Sequence, residues 1–266
     1  MSVAQFRRSL LDQRWTLLWF ALGIALYTLL IAAFWPTAKN NAALFTSYVS
    51  QLPEAFVKAF GIANFAQFEG FIGAEELNFM WPLIVLVYVI MSASSFVAGE
   101  IDRGTIELWL SAPISRWRLL SAKELALLAG VVILAAVTAV LIAAAGRLAS
   151  EPLSTTGLVA TAVVLASLCV AVGGYTALFS SLFSSRSAAA GVAAGVTIGS
   201  YLLGILSGIS SDVEWLKYFA ITSAFHPQQA LLDGGVNAGE VASLLGVGLA
   251  CALAALLVFE RRDANP

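Results

Sequence analysis

Apolar and polar positions fall in long blocks along this chain. Six apolar runs cover Trp15–Trp35, Phe79–Ala98, Leu125–Gly146, Gly157–Phe183, Ser187–Ile209 and Val241–Phe259, and every charged residue lies outside them. Each run is long enough to cross an apolar core of about 30 Å at about 1.5 Å per residue. The pattern predicts an all-α integral membrane protein with six transmembrane helices, a single transmembrane domain over residues 1–266. Trp15 and Trp35 would place their rings at opposite interfaces. The first run is too long for a signal peptide, and Trp35-Pro36 is no small-residue cleavage site.

The connecting segments carry shorter patterns. In residues 1–14, Phe6 and Leu10 share one helical face while Arg7, Arg8 and Arg14 make the segment basic. That predicts an N-terminal interfacial helix, with a solvated basic tail as the alternative. Residues 36–78 contain Pro53 and Gly61 as start and stop signals around Phe56 and Phe60, which predicts a short helix on the outer interface. Residues 210–240 mix Trp215, Leu216, Tyr218, Phe219, Phe225 and Leu231 with polar residues. That is too apolar for a free loop and too interrupted to span, so an interfacial or re-entrant hairpin is expected before span 6.

Composition agrees with the pattern. The chain is 60 % hydrophobic and only 11 % charged, where soluble domains carry about 25 % charge. Its mean hydropathy is +0.88. Lysine and arginine set the orientation. With the N-terminus in the cytoplasm, six spans place both termini there. The inside segments then hold Arg7, Arg8, Arg14, Arg103, Arg116, Arg118, Lys123, Arg186, Arg261 and Arg262, against Lys39, Lys58, Arg147 and Lys217 outside. The bias fits the positive-inside rule and a multi-pass protein of the cell membrane with both termini cytoplasmic.

Catalytic chemistry finds little support. His226 is the sole histidine and precedes Pro227; Cys169 and Cys251 sit inside apolar runs. No spacing suits a metal. Ser180-Ser181 and Ser184-Ser185 read as helix-end polar groups. The pairs Glu75-Glu76 and Asp212/Glu214 read as solvated outside the membrane. The span centres hold no Asp, Glu, Lys, Arg or His, which disfavours a proton-coupled pump. No lysine follows a glycine, so the chain has no phosphate-binding loop. Any nucleotide energy must enter through a partner.

The candidate contact is the segment Gly99–Glu124, which holds Glu100, Asp102, Arg103, Glu107, Arg116, Arg118, Lys123 and Glu124 between two uncharged runs. Thr105 is a good N-cap, Glu107 suits the first turn, and Pro113 ends a helix. This predicts a helix of about seven residues, Thr105–Ser111, roughly 10 Å long. Ile106, Trp109 and Leu110 form an i, i+3, i+4 stripe. So short a helix must pack on something. Physical reasoning alone leaves open a docking partner, the membrane interface, or the ends of neighbouring spans.

The residues Val97-Ala98-Gly99-Glu100, Arg103-Gly104-Thr105, Leu110 to Arg116 and Lys123 resemble the cytoplasmic loop of type-2 ABC exporter permeases. Leu52-Pro53-Glu54, Leu216 to Pro227 and Phe259 to Asp263 resemble other segments of that family. The resemblance implies a permease that dimerises, as a homo- or heterodimer, and binds two cytoplasmic ATP-binding subunits. The N-terminal helix and a cytoplasmic coupling helix between spans 2 and 3 would touch those subunits. The matching positions are Glu100, Gly104, Thr105, Ile106, Glu107, Trp109, Leu110 and Pro113. It also implies a substrate path along spans 1, 2 and 5. ATP and Mg would belong to the partner ATPase, with no cofactor in this chain. Membrane lipid is the other expected partner, and nucleic acid is not one.

In the fifth span, Gly191, Gly195 and Gly199 recur every four residues. They predict a smooth face for close helix packing, either within one subunit or at the dimer seam. The expected function is the permease of an ATP-driven exporter for a hydrophobic or amphiphilic molecule, not an enzyme. The alternative is a non-transporting membrane scaffold that anchors an ATPase or assembly complex.

Overall fold

The computed structural model describes residues 3–52, 57, 62–106, 115–208 and 211–262, and every regular element among them is helical. Helix α1 (Val3–Asp12) leads into α2 (Arg14–Asn40) and α3 (Ala42–Val49). Helix α4 (Phe68–Ile72) runs on as a π-helical segment, Gly73–Met80, into α5 (Trp81–Ala93). A short α6 (Ala98–Asp102) follows, then α7 (Arg116–Leu148), α8 (Thr155–Leu182) and α9 (Arg186–Ser207). Helix α10 (Pro227–Asp233) precedes α11 (Ala238–Arg261). Six of these runs are long and apolar enough to cross a membrane: Arg14–Asn40, Phe68–Ala93, Arg116–Leu148, Thr155–Leu182, Arg186–Ser207 and Ala238–Arg261.

Local chemistry sets several boundaries. Ser154 caps α8 by accepting from the Gly157 amide at 3.0 Å. Asn237 caps α11 by accepting from the Gly239 amide at 3.1 Å. Gly234 ends α10 in the left-handed region, at φ 68°, a conformation that costs other residues strain.

Helix α8 is the centre of the bundle and touches α5, α6, α7, α9, α10 and α11. Of its most apolar stretch, 72 % is buried, against 17 % for α9 and 22 % for α2 and α11. The tightest crossing joins α8 to α11. A Cβ on Gly174 would lie 2.1 Å from the Gly248 carbonyl oxygen, and one on Gly248 would lie 2.4 Å from that of Val170. Two backbones meet there with no side chain between them.

Four expectations need correction. The first membrane helix continues through Pro36 to Asn40 rather than stopping at Trp35. Trp35 is no outward anchor: it is 3 % exposed and packs on Phe68 and Phe71 at ring distances of 5.3 and 5.6 Å. The helix that carries the second apolar run begins at Phe68 and stops at Ala93, where the sequence suggested Phe79–Ala98.

The fourth correction shares the third one's cause. Glu76 is not solvated but 1 % exposed, and it accepts a 2.6 Å hydrogen bond from Thr28 Oγ1 of α2. Asn78 donates to Gln228 Oε1 at 3.0 Å, and Gln228 Nε2 donates to the Gly70 carbonyl at 3.1 Å. Polar residues that break an apolar run in sequence are matched here by distant partners, so the helix enters the bundle eleven residues earlier than its hydropathy suggests. Glu76 therefore belongs to a helix long and apolar enough to cross a membrane, on the N-terminal side of its apolar run Phe79–Ala98.

Residues 211–233 form a hairpin-like return. A 3₁₀ arm, Ser211–Phe219, lies against α9 with Trp215, Tyr218 and Phe219 exposed, while α10 is buried against α8. The helix expected around Pro53, Phe56, Phe60 and Gly61 lies outside the described residues.

Candidate coupling site

One end of the bundle gathers the ends of α5, α8 and α11, the starts of α7 and α9, and helix α6. At this end the second span breaks. Helix α5 stops at Ala93 and α6 restarts at Ala98, leaving backbone groups that need partners. Ser180 of α8 supplies three of them. Its Oγ accepts from the amides of Val97 at 3.0 Å and Ala98 at 3.1 Å, and donates to the Ser94 carbonyl at 2.9 Å. Ser180 is therefore a bracket at an interhelical joint, not a plain helix-end polar group.

Two cations complete the bracket. Lys123 Nζ of α7 donates to the Phe96 carbonyl at 2.9 Å, and Arg186 Nη2 of α9 donates to the Met91 carbonyl at 2.9 Å. The Arg186 backbone amide also donates to Asp102 Oδ2 at 2.7 Å. The joint in the second span is thus held by the third, fourth and fifth.

Glu100 is the hub beyond the joint. Its Oε1 lies 2.9 Å from Lys123 Nζ and 3.0 Å from Arg103 Nη2. The Thr105 hydroxyl donates to its other carboxylate oxygen. Burial pushes the Glu100 carboxyl up, but Lys123, Thr105 and Arg103 outweigh it and hold its pKa below the ordinary carboxylate value. Gly104 makes the turn at φ 65°, so the Thr105 amide and the Gly104 amide bond back to Glu100 and Ile101 at 2.9 Å each. A side chain at Gly104 would be strained in that conformation. Ile106 then buries itself to 7 % exposure.

Of the expected contact residues, the structure brings together Glu100, Gly104, Thr105 and Ile106. Glu107, Trp109, Leu110 and Pro113 lie outside the described residues, as does most of the expected Thr105–Ser111 helix. Lys123, Ser180 and Arg186 were not among the expected site residues. Lys123 was visible as a charge within the polar segment. Ser180 and Arg186 join the site only by tertiary contact.

The N-terminal helix is tied to the same helices. Helix α1 lies along α7. At its junction with α2, Gln13 Oε1 accepts from the buried Tyr88 hydroxyl of α5 at 2.6 Å. Gly130 of α7 leaves the room: a Cβ there would sit 2.2 Å from the Tyr88 oxygen. Both segments expected to meet a partner are therefore fixed to α5 and α7.

Gly191, Gly195 and Gly199 line a face of α9 with no other atom within 4 Å of a Cβ built on any of them. Among the described residues this stripe packs against nothing within the chain. Close packing within the subunit falls instead to Gly174 and Gly248.

These features define a multi-pass helical membrane protein with a braced joint at one end of its second span. The family model for ABC-2 family transporter proteins matches residues 7–264, nearly the whole chain, and the chain belongs to that family. It is a membrane permease domain, the non-catalytic part of a transporter. No curated protein matches the chain.

Proposed function

We propose that this chain is the permease of an ATP-driven exporter, with separate ATP-binding subunits docking on the face that carries both termini. That face is cytoplasmic by its arginine and lysine content. The observation that carries the reading is the bracket around the second span's joint. A loop that only connects two spans needs no such bracing. A segment that receives force does, because a push on residues 105–113 must move helices and not merely bend a tether. The residues proposed to meet the ATPase are Glu100, Gly104, Thr105, Ile106, Glu107, Trp109, Leu110 and Pro113, with ATP and Mg held by the partner.

The second permease subunit is proposed to pack along the bare Gly191, Gly195 and Gly199 face of α9. The substrate, a hydrophobic or amphiphilic molecule, would leave the cytoplasm along spans 1, 2 and 5 of the two copies. The test is purification with the ATPase that co-assembles. Trp109→Ala and Glu107→Lys are expected to insert normally yet lose ATPase binding or stimulation. Normal coupling in both variants would overturn the contact. A stable complex whose ATPase turns over without moving any substrate would favour a scaffold instead.

A further inference from the structure

The observation is a cavity of about 580 Å³ at the end of the molecule opposite the coupling site. Its walls come from the second half of α2, from α3, from Phe65 and from the start of the second span. Tyr27, Phe34, Phe45, Phe65 and Phe71 make them largely aromatic. The rings are set against one another, with Phe45–Phe65 at 5.3 Å and Phe65–Phe71 at 5.0 Å. One acidic side chain, Glu75, lines this space.

The position of that carboxylate is unusual. Glu75 and Glu76 lie side by side in the π-helical segment Gly73–Met80. Such segments are rare and concentrate at functional sites. Glu76 turns inward to Thr28, while Glu75 lines the cavity. Among the described residues, no side chain donates to the Glu75 carboxylate. The nearby cation of α2, Lys39, pairs with Glu151 at 2.6 Å. Among the described residues this half-buried carboxylate has no counterion, so a bound cation would favour its ionised form.

We infer that this cavity binds a lipophilic organic cation, with the charged centre beside Glu75 and the apolar body against the aromatic walls. Three features support that occupant. The volume lies within the range of drug-sized sites, about 300–1,000 Å³. Aromatic faces attract cations as well as apolar groups. The carboxylate supplies the sign that separates a cation from a neutral lipid tail. As a substrate site of the exporter, the cavity rests on the function proposed above. Binding itself does not, because it is measured on this chain without ATPase or ATP.

The experiment uses the full chain in phosphatidylcholine nanodiscs and two probes of nearly equal shape and opposite charge, tetraphenylphosphonium and tetraphenylborate. Saturable binding of the cation is expected, at least about tenfold tighter than the anion. Glu75→Gln should weaken the cation about tenfold and leave the anion unchanged or tighter. Phe34→Ala, at an exposed wall position, should weaken both. Glu214→Gln, on the exposed 3₁₀ arm, should change neither. Equal affinity for the two probes would show an apolar groove for lipid and overturn the inference. So would an unchanged cation affinity in a folded Glu75→Gln protein. Cross-linking of Phe34→Cys between two copies, with the cation excluded, would give the groove to a second subunit and also overturn it.

Discussion

Lys123 of α7 and Glu100 of α6 form an ion pair of 2.9 Å, and both side chains are nearly buried, at 12 % and 11 % exposure. The pair links the third span to the segment beyond the second span's joint. Lys123→Ala would leave the Phe96 carbonyl without this donor and Glu100 with a weaker shell. The expected cost is about 1–3 kcal/mol, read as a fall in melting temperature of the detergent-solubilised protein. If the proposed coupling holds, ATPase stimulation should fall as well.

The same pair sets an acid dependence. The folded pKa of Glu100 lies below its ordinary value of 4.5. A carboxyl with a depressed folded pKa adds stability above its unfolded pKa and loses it as pH falls through the folded value. The wild-type melting temperature should therefore drop more steeply than that of Lys123→Ala as pH is lowered below about 4.5. Parallel curves would mean that Glu100 gains little from Lys123.

Ser180→Ala should loosen the joint without altering the hydropathy of α8. It leaves the Val97 and Ala98 amides and the Ser94 carbonyl without their present partner. Each unsatisfied buried group costs about 1–3 kcal/mol. Faster amide hydrogen exchange confined to residues 94–102 is the expected readout. Unchanged exchange there would show that the bracket is redundant.

Thr28 and Glu76 provide a double-variant test. Thr28→Val removes the hydroxyl that donates to Glu76 and should destabilise by about 1–3 kcal/mol. Thr28→Val combined with Glu76→Leu should recover part of that loss, because apolar groups then replace both partners. A double variant no more stable than Thr28→Val would mean that Glu76 is held by more than this bond.

Glycines with and without a close neighbour should behave differently. Gly195→Leu meets no atom within 4 Å of its Cβ, so the single chain should fold and melt as before. Loss of dimer mass in that variant is expected if the stripe is the seam. Gly174→Leu drives a side chain into the Gly248 backbone and should abolish the folded protein or force α8 and α11 apart.

The long spans were legible because a membrane helix needs only a sustained apolar run, as in Leu125–Gly146 and Gly157–Phe183. The start of the second span was not. Glu76 and Asn78 look like surface residues until Thr28 and Gln228 are brought beside them from 48 and 150 residues away. The π-helical turn that directs Glu75 and Glu76 apart has no periodic signature of its own. At the candidate coupling site, Glu100, Gly104 and Thr105 announced themselves through charge and turn chemistry. Ser180 did not, since one serine among several at a helix end has no distinguishing neighbour. The Gly191, Gly195 and Gly199 stripe drew attention by its spacing. Gly174 and Gly248, where two long helices meet backbone to backbone, have no such repeat, because their match lies across space.

The Gly174–Gly248 crossing also limits how this molecule can deform. Side chains between two helices act as a compliant layer that can repack as one helix slides or rolls. Here the backbones touch, and a small roll would drive a carbonyl oxygen into the opposing chain. The fourth and sixth spans therefore behave as one stiff strut. Any alternation of shape must be carried by the thinly covered first and fifth helices, hinged against a frame that does not itself bend.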